Sequence, residues 1–95
     1  MKKILVVDDE WKIRKLIKDY LVREGYSVDE AGDGEEGLDL FFQTTYDIVI
    51  LDIMMPKIDG WSVCRKIREE SQVPIIMLTA RADESDWSSR PARKM

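Results

Sequence analysis

Histidine is absent from this chain and cysteine occurs once, at Cys64. The first absence removes Ser-His-Asp and Cys-His nucleophile pairs and most zinc sites. The second removes any internal disulfide and agrees with a reducing compartment. Chemistry, if there is any, must rest on carboxylates, hydroxyls and lysines. Proline and glycine are few, three and five, and the composition is that of an ordinary globular protein. No apolar run approaches the roughly 20 residues of a membrane span. The start, Met-Lys-Lys and then Ile4 to Val7, is too short and runs into acids, unlike a signal peptide. A cytoplasmic protein without membrane contact is expected. Ninety-five residues suffice for one small domain and exclude a second. The net charge is −4, yet the last nine residues, WSSRPARKM, carry three cations and no acid. The body is therefore more acidic than the total, which argues against nucleic acid as a direct partner.

What is present is a repeating pattern. Ile4 to Val7, Ile48 to Leu51 and Ile75 to Leu78 are unbroken apolar runs rich in branched residues, as in strands buried on both faces. Tyr26 to Ala31 alternates, as an edge strand covered on one side does. Ile13, Leu16, Ile17, Tyr20 and Leu21 have the spacing of one helix face, with Gly25 at the C-terminal glycine position. Leu38 and Phe41 mark a second helix opening after Asp33-Gly34. Val63, Cys64 and Ile67 mark a third, beginning near Gly60 and ending before Pro74. The order βαβαβαβ predicts a parallel sheet with right-handed crossovers and helices on both faces. In such folds the site lies beyond the carboxyl ends of the strands. Strand one ends in Asp8-Asp9-Glu10, strand three in Asp52 and strand four in Thr79-Ala80.

If strands one and three are neighbours, Asp8, Asp9 and Asp52 crowd up to three negative charges together. A hard divalent cation bound through oxygens relieves the repulsion, and Mg²⁺ suits one or two carboxylates with waters and a phosphoryl oxygen. A carboxylate beside Mg²⁺ is also a competent nucleophile towards phosphorus, with Thr79 placed to hydrogen-bond a phosphoryl oxygen. An aspartyl phosphate adds about −1.5 to −2 charges and three strong acceptors, enough to act as a switch.

The runs "ILVVDDE", "AGDGEEGL", "YDIVILDIMMPKIDGW" and "PIIMLTA" together resemble the response-regulator receiver domains of two-component signalling, over residues 1 to about 84. The wording "LDIMMPKIDGW" and "LTAR" is most similar to the OmpR/PhoB-type branch, whose intact members usually regulate transcription through a winged-helix domain. The resemblance implies a flavodoxin-like (CheY-like) parallel sheet. It also implies that Asp52 accepts a phosphoryl group from a sensor histidine kinase. Asp8 and Asp9 would hold Mg²⁺ together with Asp52 and the backbone carbonyl of Met54. Thr79 would be the switch hydroxyl, and Pro56 and Gly60 would shape the loop after the site. The module would be a self-phosphorylating acceptor, not an enzyme acting on a separate substrate.

The chain departs from the family after residue 84. A fourth helix, a fifth strand ending in Lys-Pro and a fifth helix would follow; "DWSSRPARKM" stands there instead. The expectation is an incomplete receiver, residues 1–84, of about four strands in the order 2-1-3-4 with three helices. Residues 85–95 would be a polar, basic tail. No lysine stands at the family's catalytic place, since Lys94 has no apolar strand before it. The fourth strand, left as an edge, is expected to promote self-association.

Two other functional readings compete. A phosphorylation-incompetent fragment would keep only docking or dimerisation. A Mg²⁺-dependent aspartyl-phosphate phosphatase would want a second acid two residues after Asp52, where Met54 stands. Gly32 to Gly37 spells G-x-G-x-x-G, but its three acids would repel a pyrophosphate, and a glycine-punctuated turn opening a helix is the better reading. Trp11 is expected to be a partly exposed first-turn aromatic, and Cys64 a small buried hydrophobe. Lys12, Arg14, Lys15 and Lys18 are expected to form the solvated outer side of the first helix, with docking of a kinase as its further possible role.

Overall fold

The computed structural model describes residues 1–78. Thr79, Lys94 and the tail, with what was expected of them, lie outside the described residues. The elements are β1 (Lys3–Val7), α1 (Trp11–Arg23), β2 (Ser27–Ala31), α2 (Gly34–Gln43), β3 (Ile48–Asp52), α3 (Gly60–Arg68) and β4 (Ile75–Leu78). The four strands are parallel and ordered β2-β1-β3-β4. Because successive strand residues face opposite sides, Leu5 and Val7 enter a core with Val49, Leu51, Val63 and Ile67 under α2 and α3. Ile4 and Val6 meet Ile50 under α1. Among the described residues β4 pairs with β3 alone, and its Ile76, where self-association was expected, is exposed. No described helix is long and apolar enough to cross a membrane.

The first helix corrects its expected face. Ile17 and Leu21 pack on the sheet, but Leu16 and Tyr20 are 70% and 60% exposed. The seam is thus an i, i+4 stripe narrower than the five-residue face, because Arg14 and Lys18 turn inward towards Glu30 and occupy one flank. Gly25, at φ 97°, ends α1 as expected: its N–H donates to the Val22 carbonyl, and Tyr26 N–H to that of Leu21, 3.0 Å each. That pattern requires a left-handed residue, which glycine tolerates. It also explains why β2 starts at Ser27 and not at Tyr26, whose N–H is committed to the helix end.

At α2 the Asp33 side chain accepts from Glu36 N–H (2.8 Å), and Glu36 reaches back to Gly32 N–H (2.9 Å), a reciprocal cap of the kind that fixes a helix start. A Cβ on Gly34 would lie 2.8 Å from Val63 Cγ2, and one on Gly37 2.9 Å from Val7 Cγ2. The motif thus opens a helix, and its Gly34 and Gly37 also serve close packing of α2 on α3 and β1, which the pattern alone did not show. Trp11 is exposed in the first turn of α1, and Cys64 is half-buried against the core.

Candidate functional site

Val7 lies opposite Leu51 in the β1–β3 ladder, so the residues that follow, Asp8 and Asp52, come to the rim side by side. Each is 1% exposed, while Asp9 is exposed. Carboxylate oxygens of Asp8, Asp9 and Asp52 all lie within 4.8 Å of one another. The three acids singled out in the sequence are thus brought together.

The two strand ends use the same local device. Asp8 Oδ1 accepts from the N–H of Glu10 (2.9 Å), and Asp52 Oδ1 from that of Met54 (3.2 Å). An aspartate bonding the backbone two residues on makes an Asx turn, which turns the chain out of the strand and keeps the carboxylate at its end. Asp8 N–H also donates to the Ala31 carbonyl of β2 (3.1 Å). The Met54 side chain is half-exposed, and its backbone touches the cluster through the N–H bonded to Asp52.

Behind Asp52 the loop is closed by Gly60, whose N–H donates to the Ile53 carbonyl at 2.9 Å. A Cβ there would overlap the Asp52 carbonyl oxygen and lie 2.7 Å from Ile53 Cα. Glycine is required for contact, not for φ. Pro56 is exposed, and Lys57 after it has φ 68°, the left-handed region that a non-glycine residue seldom takes. Asp59 caps α3 by accepting from Ser62 N–H (2.9 Å), a bond that holds its carboxyl below the ordinary range. Ile53 N–H donates to the Leu78 carbonyl (3.2 Å), which ties the loop to the end of β4, next in sequence to Thr79.

One neighbour of the site was misread in the sequence. Arg14, expected in the solvated face of α1, donates from Nη1 to the Asp8 carbonyl (2.8 Å) and from Nε to Glu30 Oε1 (3.0 Å). Lys18 Nζ reaches Glu30 Oε2 at 3.3 Å. The Arg14 hydrogen bond, aided by Lys18 and against the effect of burial, lowers the Glu30 carboxyl from its ordinary 4.5. The available signal was the alternation of β2, which puts Val28 and Glu30 on one face, the α1 face.

Three carboxylates, two of them buried, form a hard oxygen donor set. That set fits a cation such as Mg²⁺ and offers nothing to a metal that prefers sulfur or imidazole. Residues 4–89 match the family model of the response regulator receiver domain. The chain belongs to that family. A probable transcriptional regulator, ycf27, of Guillardia theta is 58% identical over 85 residues, 90% of this chain and 34% of the relative. The receiver chain thus spans about a third of the length of the curated relatives it matches. The response regulator TrrA of Thermotoga maritima, solved in complex with Mg²⁺-BeF, superposes with a TM-score of 0.80 at 52% identity, covering 93% of this chain and 81% of that one. TrrA is also solved in complex with the histidine kinase ThkA; that structure gives a TM-score of 0.78, covering 93% and 80% of the two chains.

Proposed function

We propose that this receiver is a phosphoacceptor module: Asp52 takes a phosphoryl group from a sensor histidine kinase, and Asp8, Asp9, Asp52 and the Met54 carbonyl hold Mg²⁺. The observation that carries the reading is the convergence of three carboxylates from adjacent strand ends, with oxygens within 4.8 Å of one another. A carboxylate oxygen of Asp52 forms the new bond to phosphorus as the bond to the donor breaks, and the donor leaves with that electron pair. Mg²⁺, when bound, offsets the negative charge that the acids and the phosphoryl oxygens bring together. The Asx turns present the carboxylates at the rim, and Gly60 lets the loop close directly behind Asp52. Thr79, placed by sequence motif, would bond a phosphoryl oxygen and so report the added charge to neighbouring segments. The bound Mg²⁺-BeF of TrrA and its complex with ThkA support the same roles here. In a longer parent resembling ycf27 the output would be control of transcription.

The test is incubation with acetyl phosphate and Mg²⁺, read by intact mass, beside Asp52→Asn. Gain of one phosphoryl group by the parent alone is expected. No gain in folded parent overturns the reading and leaves a docking fragment.

A further inference from the structure

The β1–β3 ladder ends at Val7 and Leu51, so the Asp8 carbonyl stands beyond its last pair. The donor it receives comes from α1: Arg14 Nη1 at 2.8 Å. The same guanidinium is fixed on its other edge by Glu30 of β2, through Nε at 3.0 Å. One planar fork therefore joins the end of β1, the second turn of α1 and β2, with the geometry held on two sides, as a lysine ammonium cannot be. The Arg14 side chain is 19% exposed and that of Glu30 29%, so neither bond is a loose surface contact.

We propose that Arg14 is a positioning residue for the metal site: its bond to the Asp8 carbonyl, anchored by Glu30, fixes the turn that carries Asp8 and Asp9 and so raises affinity for a divalent cation. The inference rests on the reading of the acidic cluster given above. Two effects of Arg14 oppose each other. Its charge alone would repel a cation and weaken binding. Its hydrogen bond holds two ligands in place, and metal sites tolerate displacements of only about 0.2 Å. Glu30 offsets the charge and leaves the bond, so positioning prevails.

Titration of the full chain with Mg²⁺ by calorimetry, for the parent, Arg14→Met and Arg14→Lys, tests the sign. Arg14→Met keeps the apolar bulk and loses the donors; it is expected to bind Mg²⁺ roughly tenfold more weakly, the low end for loss of an outer partner of a metal ligand. Arg14→Lys keeps one donor and is expected between Met and parent. A role in charge alone predicts tighter binding by Arg14→Met, and a role in packing alone predicts binding equal to parent; either result overturns the proposal, as would Met and Lys variants equally weak. Denaturation of each variant in urea shows which are folded at the titration temperature. Should the Arg14 variants not fold, Glu30→Gln, which keeps the donor and frees its anchor, is expected to bind more weakly than the parent, by less than the roughly tenfold loss for removal of an outer partner itself; parental affinity there overturns the proposal. A parent that binds no Mg²⁺ brings down the reading of the site itself, whereas a binding parent matched by its variants brings down the role of Arg14 alone.

Discussion

The sheet has acids at its carboxyl rim and acids away from it, and the two groups are held differently. At the carboxyl rim Asp8, Asp9 and Asp52 point their oxygens at one another. Two acids away from that rim each meet a donor: Asp47, just before β3, accepts the Lys3 N–H on Oδ2 at 2.8 Å, and Asp29, midway along β2, accepts the Tyr46 hydroxyl at 2.6 Å with Lys3 Nζ 3.9 Å away. An acid at a strand end is thus not a site in itself. The carboxyl rim differs in that its acids converge on one another besides accepting backbone N–H groups, and like charges so placed favour a cation between them.

The largest effect is expected where the carboxyl rim is closed from behind. Gly60→Ala drives a methyl into the Asp52 carbonyl and the Ile53 backbone, which can move only by shifting β3. A loss of about 3 kcal/mol, the upper end for overpacking, should appear in urea denaturation, together with loss of Mg²⁺ response. Next comes the contrast itself. Mg²⁺ at a hundredfold excess over its dissociation constant should stabilise the parent by about 2.7 kcal/mol. Asp8→Asn should lose most of that response, while Asp29→Asn should lower stability equally with and without Mg²⁺. Equal Mg²⁺ responses in the two variants would erase the distinction between the two groups of acids.

The alternation of runs and the strand-end acids made the parallel sheet and the trio Asp8, Asp9 and Asp52 legible, because burial pattern and chain order suffice to place strand ends. The inner face of α1 was not, since periodicity alone cannot say that Arg14 and Lys18 would find Glu30 sixteen and twelve residues on and turn Leu16 and Tyr20 outward. The Pro56-Lys57 turn was only half legible. Proline signals a turn, but glycine or asparagine is the usual sign of a left-handed next residue, and here a lysine takes φ 68°. Gly60 was marked as a loop former, yet its reason is steric contact with Asp52, which no local pattern encodes.

A smaller effect probes the paired acids. Burial first, and then the Asp29 hydrogen bond, push the Tyr46 hydroxyl from 10.0 to about 12. A raised value favours the protonated form in the fold, so the contribution is complete below pH 10 and lost as pH rises towards 12. Tyr46→Phe should cost about 1–2 kcal/mol at neutral pH. The gap to the parent should close between pH 10 and 12, and Mg²⁺ affinity should not change. Denaturation midpoints across that range provide the check, and a constant gap would mean that the hydroxyl contributes through packing only.

The smallest effect tests whether the flank of the acidic rim follows the rule of the paired acids. Glu30 is matched to Arg14 and Lys18, and its carboxyl is lowered below 4.5, first by the Arg14 bond. A lowered value favours the charged form in the fold, so its contribution is present above pH 4.5 and lost as pH falls through the folded-state value. Being partly exposed, the pair should contribute at most about 1 kcal/mol. The stability gap between parent and Glu30→Gln is therefore expected above pH 5 and should shrink on acidification below pH 4.5, in urea titrations without Mg²⁺. A gap that persists into acid would assign the loss to the hydrogen-bond geometry around Arg14 and not to charge, the outcome under which Glu30 serves the site only as an anchor.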